Sequence, residues 1–278
     1  MTVLTSTVTV PGKSEVWGMS VVLTPNPPGT KPPAPPPAPA QQVAAKAGLP
    51  IKYAGAVLTG QDDMLASIAK CFDSHNARIT KQRIKKQEES WVLESSEFSP
   101  CTTGGEVLAV ADDIVSRINQ ILAVYADFTP TFSVEYINWI NAEGEPFRTL
   151  RDFASLNRVS SKGLVELRGM SGTRPLGSAV LDTMICDPAV EGALILHGDG
   201  ELSWPQVYDI IEFFGGESGI TNAGYADKKQ VRAVRQTANH HRHLGSPKKY
   251  PLPLNPPTLA DATEFARSLL RHWISVRL

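Results

Sequence analysis

The sequence predicts an α+β fold, in which an N-terminal mixed helix and antiparallel-strand domain over residues 51–170 is followed by a helical unit over 171–278. Three observations predict it. A run of apolar residues at helical period fills 105–126, a period-two alternation with turn residues follows over 132–150, and beyond residue 179 the β signals give way to capped helical segments. Two further segments precede this core, a β-prone arm over 1–24 and a Pro/Ala-rich linker over 25–50.

The arm carries two runs rich in Val, Thr and Leu, the β-branched composition that favours extended chain. Such strands form a hairpin or pair with a neighbouring subunit, so the arm is a candidate for self-association or for contact with a protein partner. In the linker nine of the fifteen residues at 25–39 are proline, which removes backbone donors and favours semi-rigid polyproline II.

Tyr53 to Thr59 reads as a strand, and 62–73 as a helix with Met64, Leu65, Ile68 and Phe72 on one face. Residues 76–89 are densely charged, with Arg78, Lys81, Arg83, Lys85 and Lys86 ahead of Glu88 and Glu89, and read as a solvated helix face. Residues 91–93 are a short strand candidate. In the helix at 105–126, Val107, Val110, Ala111, Ile114, Ile118, Ile121 and Leu122 recur every three or four positions. The hairpin at 132–150 places Phe132, Val134, Tyr136, Asn138 and Ile140 in one alternating set, with Asn141-Ala-Glu-Gly144 as its turn. Leu164 to Leu167 is a candidate closing strand.

The C-terminal helices are marked by their ends. Ser203-Trp-Pro-Gln206 combines a capping serine, a first-turn proline and a capping-box glutamine, and Gly215-Gly216 stops that helix. A second runs from about Asp227 to His240, and a third starts at Thr258 with Asp261 in the capping-box position.

Composition limits the function classes. The 278-residue chain is 42% hydrophobic with a formal net charge of −1, so attraction to a polyanion must come from a local patch. Cys71, Cys101 and Cys186 are too dispersed for a zinc site or a secreted disulfide framework, which points to the reducing cytoplasm. No secretory signal opens the chain, and no apolar stretch approaches the about 18 residues of a membrane span, so no membrane contact is expected. His197-Gly-Asp-Gly-Glu-Leu-Ser-Trp204 has the middle of a calcium loop. Aligned on Gly200, it puts Ile195 at the first ligand position and Gln206 at the last, so it reads as a turn into a capped helix. The glycine clusters at 169–172 and 215–219 lack phosphate-loop spacing and read as turns, and neither a nucleophile elbow nor a paired Cys-x-x-Cys is present.

The strongest cluster is Lys228, Lys229, Arg232, Arg235, Gln236, Asn239, His240, His241, Arg242 and His243, continuing to Lys248 and Lys249, with Asp227 the nearest acid in sequence. On a helix Lys228, Arg232, Arg235, Asn239 and Arg242 follow at steps of three or four and share one face, a row that tracks phosphates of RNA or DNA. Tyr225 and Tyr250 flank it and are candidates to stack a base. His240 and His243 have metal-ligand spacing, but no carboxylate or cysteine lies close in sequence, so no metal or other cofactor is expected. The leading expectation is a protein that binds nucleic acid or another partner through this helix, ahead of a structural or assembly protein with an exchanging arm.

Arg235-Gln-Thr-Ala-Asn-His240 also resembles the Arg-x4-His motif of HEPN-type ribonucleases, helical proteins of toxin and phage-defence systems. That resemblance implies metal-independent RNA cleavage, with His240 exchanging protons and Arg235 steadying the phosphorane charge. The position after the arginine, most often Asn, Asp or His in that family, is Gln236 here. Thr237-Ala-Asn239 with Arg242-His243 resembles the C-terminal ends of uncharacterised bacterial proteins, which implies a bacterial origin over at most the last 75 residues.

Overall fold

The computed structural model describes residues 51–85, 88–126, 132–151, 174–198, 200–243 and 249–278. The arm, the linker, the strand candidate at 164–167, the glycine cluster at 169–172 and Lys248 lie outside them. The described residues belong to one compact unit, Ala45–Leu278. The fold is α+β, with a five-stranded antiparallel sheet formed early in the chain and helices following it.

Strand β1 (Ile51–Thr59) leads into helix α1 (Asp62–Cys71), whose Asp62 and Asp63 suit the positive end of the helix dipole. Lys81 Nζ and Trp91 Nε1 both donate to Asp62 Oδ1, at 2.9 and 2.7 Å, and tie this helix to the sheet. The charged run after it corrects the sequence reading. Arg78–Lys85 is strand β2 at the sheet edge, paired with β3 (Glu88–Glu94), and not a helix face. Ile79 is its buried anchor. The charges make sense across the ladder, since Arg83 opposes Glu89 in register and a charged edge resists pairing with a foreign strand.

Helix α2 (Gly104–Tyr125) starts in a capping box: Glu106 N donates to Thr103 Oγ1 at 3.2 Å, and Thr103 N to Glu106 Oε2 at 3.3 Å. Its apolar period spans more than one stripe, and 121–126 are all buried. The helix lies between the sheet and the helices that follow. Strands β4 (Ser133–Asn141) and β5 (Pro146–Leu150) complete the order β2-β3-β1-β4-β5. Their turn uses Gly144 at φ 87° and an Asn141 side chain that accepts from Glu145 N at 2.8 Å. The predicted alternation in β4 changes phase, because Val57 opposes Tyr136 while Leu58 opposes Val134. The bulge leaves Glu135 unpaired, and Val134, Ile137 and Trp139 become the buried set in place of a strict every-second-residue pattern.

Helices α3 (Leu176–Cys186) and α4 (Pro188–His197) meet at Asp187, which caps α4 by accepting from Ala189 N at 2.9 Å. Helices α5 (Trp204–Phe213), α6 (Gly216–Asn222), α7 (Lys228–Arg242) and α8 (Leu259–Ser275) follow. Helix α6 corrects the reading of 215–219 as a turn. Gly215 supplies the left-handed φ of 80° that ends α5, and a Cβ at Gly219 would overlap the Phe214 carbonyl. Both glycines serve a tight join between two helices.

One hydrophobic core runs from the sheet through α2 into α8. The change near residue 170 therefore separates kinds of secondary structure within a shared core. Polar groups reinforce it: Arg117 of α2 reaches Asp113 at 2.9 Å, Glu191 of α4 at 3.6 Å and Glu97 at 3.8 Å. Arg271 Nε of α8 donates to the Val124 carbonyl at 2.7 Å, satisfying a C-terminal group of α2. Among the described residues no helix is long and apolar enough to cross a membrane.

Candidate functional site: the polar face of helix α7

Asp227 sets α7 in place by accepting from Lys229 N at 2.6 Å and Gln230 N at 3.3 Å. Val231, Val234, Thr237 and Ala238 are buried against the bundle. That fixes which half faces outward, and Arg232, Arg235, Gln236 and Asn239 line a groove of about 300 Å³ together with Glu217 of α6.

The predicted cation row forms, but packing supplies acids that sequence proximity hid. Arg235 Nε donates to Glu212 Oε1 at 2.7 Å, Arg242 Nη1 lies 3.5 Å from Asp209, and Lys228 Nζ lies 3.8 Å from Glu217. The Glu212 hydrogen bond holds the Arg235 guanidinium above its ordinary pKa, so it stays charged. Tyr208 of α5 lies under both guanidinium groups, with Arg242 at 4.8 Å and Arg235 at 5.8 Å from its ring centre. Lys229, Arg232 and Lys249 have no carboxylate partner among the described residues.

The histidines take separate structural partners. His240 Nδ1 lies 2.6 Å from the Tyr250 carbonyl and must donate to it, because a carbonyl only accepts. Gln236 Nε2 donates to the next carbonyl, that of Pro251, at 3.0 Å, so the two side chains hold the segment from 249 to 257 along α7. His241 stacks on Trp204 at 4.8 Å, and His243 stacks on Tyr250 at 4.5 Å, with Lys249 over the same tyrosine at 5.4 Å. Tyr225 packs edge-on against Phe214 and His272.

Arg235 and His240 are five residues apart, which places them about 140° apart around a helix at 100° per residue. The structure engages one with Glu212 and the other with Tyr250. No three His, Cys, Asp or Glu side chains come together as a metal-binding group among the described residues.

The site and its scaffold define an α+β protein with a polar, partly neutralised groove on one helix. Set beside protein-family models, curated proteins and solved structures, the chain matches none of them.

Proposed function

We propose that this is a binding protein that holds single-stranded nucleic acid on the polar face of α7. The observation that carries the reading is the groove in which Arg232 makes no ion pair among the described residues, beside Arg235, Gln236 and Asn239, which offer further donors. Lys229 and Lys249 extend the positive surface, and the His243–Tyr250 stack adds an aromatic surface at its end. Binding is favoured over cleavage because Arg235 and His240 are engaged with different partners.

The experiment is fluorescence anisotropy with a labelled single-stranded RNA across a salt series. With three cations free to meet phosphate, log K falls with log[salt] at a slope of about −2, from roughly 0.7 per contact on single strands. Arg232→Ala brings the slope to about −1.4 on the same scale. Undetectable binding, or a slope that Arg232→Ala leaves unchanged, refutes the assignment. RNA incubated with the protein in EDTA stays intact. Cleavage that His240→Ala abolishes would replace binding with the ribonuclease chemistry.

A further inference from the structure

A second cavity, of about 390 Å³, opens where β1 begins, between the α1–β2 connection and the residues that follow β3. That size falls within the range of small-molecule sites, roughly 300 to 1,000 Å³. Ile51, Ala54 and Phe98 provide a buried apolar floor. Lys52, His75 and Arg78 contribute nitrogen groups to its lining, and Tyr53 and Glu94 contribute oxygens.

The walls are held from behind. Asp73 N donates to the buried Ser178 hydroxyl at 2.8 Å, and Asn76 Nδ2 to Asp182 Oδ1 at 2.8 Å, so α3 fixes the turn that presents His75. Ser96 N donates to the His75 carbonyl at 2.8 Å and joins that turn to the β3 end. Arg78 uses only Nε to reach Asp73, at 2.8 Å, leaving both terminal guanidinium nitrogens without a partner among the described residues. Glu94 Oε1 accepts from Tyr53 at 3.0 Å and from Gln82 at 3.1 Å, while Oε2 accepts from no described residue. Arg78 and Glu94 oppose each other across the β2–β3 ladder, so the fork of donors and the carboxylate acceptor stand side by side in the cavity lining.

We propose that this cavity binds a small phosphomonoester that carries hydroxyl groups, a sugar phosphate by chemical class. The Arg78 fork, the Lys52 ammonium and the Ser95 and Ser99 hydroxyls outnumber the acceptors of a carboxylate but suit the three oxygens of a phosphate. Glu94 Oε2 then accepts from a sugar hydroxyl. The site uses none of the α7 residues and stands whether or not the nucleic-acid reading does.

Isothermal titration of the full chain with ribose 5-phosphate, ribose and inorganic phosphate tests it. Ribose 5-phosphate is expected to saturate at a Kd of about 1 mM or below, and ribose alone not to bind. Arg78→Gln is expected to weaken ribose 5-phosphate about tenfold or more, the usual scale for one lost charge-assisted hydrogen bond. Glu94→Gln is expected to weaken ribose 5-phosphate relative to inorganic phosphate, because Glu94 stands beside the Arg78 fork. Thermal melts of each variant establish that it folds, and Lys52→Gln serves in place of Arg78→Gln should that variant unfold. No saturation by about 10 mM overturns the site. Arg78→Gln and Lys52→Gln both binding like wild type also overturns it, and inorganic phosphate binding as tightly as ribose 5-phosphate overturns the hydroxyl-bearing class.

Discussion

Lowering the pH should destabilise this protein through one histidine, His197, whose place in the fold is unfavourable to charge. It ends α4 with 1% of its surface exposed, and its Nδ1 meets the Gly198 carbonyl at 2.9 Å. Its Nε2 is buried without a hydrogen-bond partner among the described residues. Burial pushes the imidazole pKa below its ordinary 6.5, and the nearby Arg267 and Arg271 act in the same direction, outweighing the Gly198 bond. The native ring is therefore neutral where the unfolded ring begins to protonate. Because the unfolded state takes up the extra proton, stability is unaffected above pH 6.5 and falls as the pH drops below it. One proton sets a ceiling of about 1.4 kcal/mol per pH unit, and a total loss of at most about 1.4 kcal/mol by pH 5.5. Urea unfolding of wild type and His197→Gln at pH 7.5, 6.5 and 5.5 isolates this residue from the other histidines. The wild type should lose more stability than the variant across the lower interval. If the difference between them is the same at all three pH values, the buried neutral imidazole is refuted.

Two further outcomes follow from packing. Gly177 of α3 leaves no room for a side chain, since a Cβ there would sit 2.7 Å from the Cys71 carbonyl and 2.7 Å from the Phe72 ring. Gly177→Ala should cost about 2 kcal/mol in urea unfolding, against a gain of about 0.5 to 1 kcal/mol for Gly192→Ala, whose Cβ meets open space inside helix α4. Arg271→Met keeps the aliphatic length but removes the donor to Val124, and should cost about 1.5 kcal/mol with earlier hydrogen exchange in the last turn of α2. Unchanged exchange there would show that Arg271 does not cap that helix.

The elements that were legible in sequence are those whose cause is local. Thr103 with Glu106, Ser203 with Gln206 and Thr258 with Asp261 lie within a single turn, so each helix start could be read without knowing the fold. The edge strand β2 was not legible, because its cations are complemented across a ladder by Glu89 and not along a helix. The bulge at Glu135 depends on register with β1, which no property of β4 alone encodes. In the α7 site the cation row was visible and its neutralisation was not, since Asp209, Glu212 and Glu217 lie 11 to 33 residues from their partners. The β1 cavity was not legible for the same reason: its walls come from three separate segments, 51–54, 74–78 and 94–99.

The acids around α7 change what kind of recognition the face suits. A bare row of cations attracts any polyanion, weakly oriented and strongly dependent on salt. Here Glu212 and the Tyr208 ring fix the Arg235 guanidinium through Nε, and Asp209 with the same ring fixes Arg242. Each pair gives up net charge, and each removes side-chain freedom that binding would otherwise have to freeze. Such exposed pairs add only about 0 to 1 kcal/mol to folding, so stability alone is a weak account of three of them meeting one helix, two of them over its neighbour's tyrosine. Orientation is the stronger account: under the proposed reading, Arg232 supplies attraction while Arg235, held by Glu212, and Gln236, held by the Pro251 carbonyl, present their remaining donors in fixed directions. The expected result is modest affinity with a shallow salt dependence and sensitivity to the path of the bound strand.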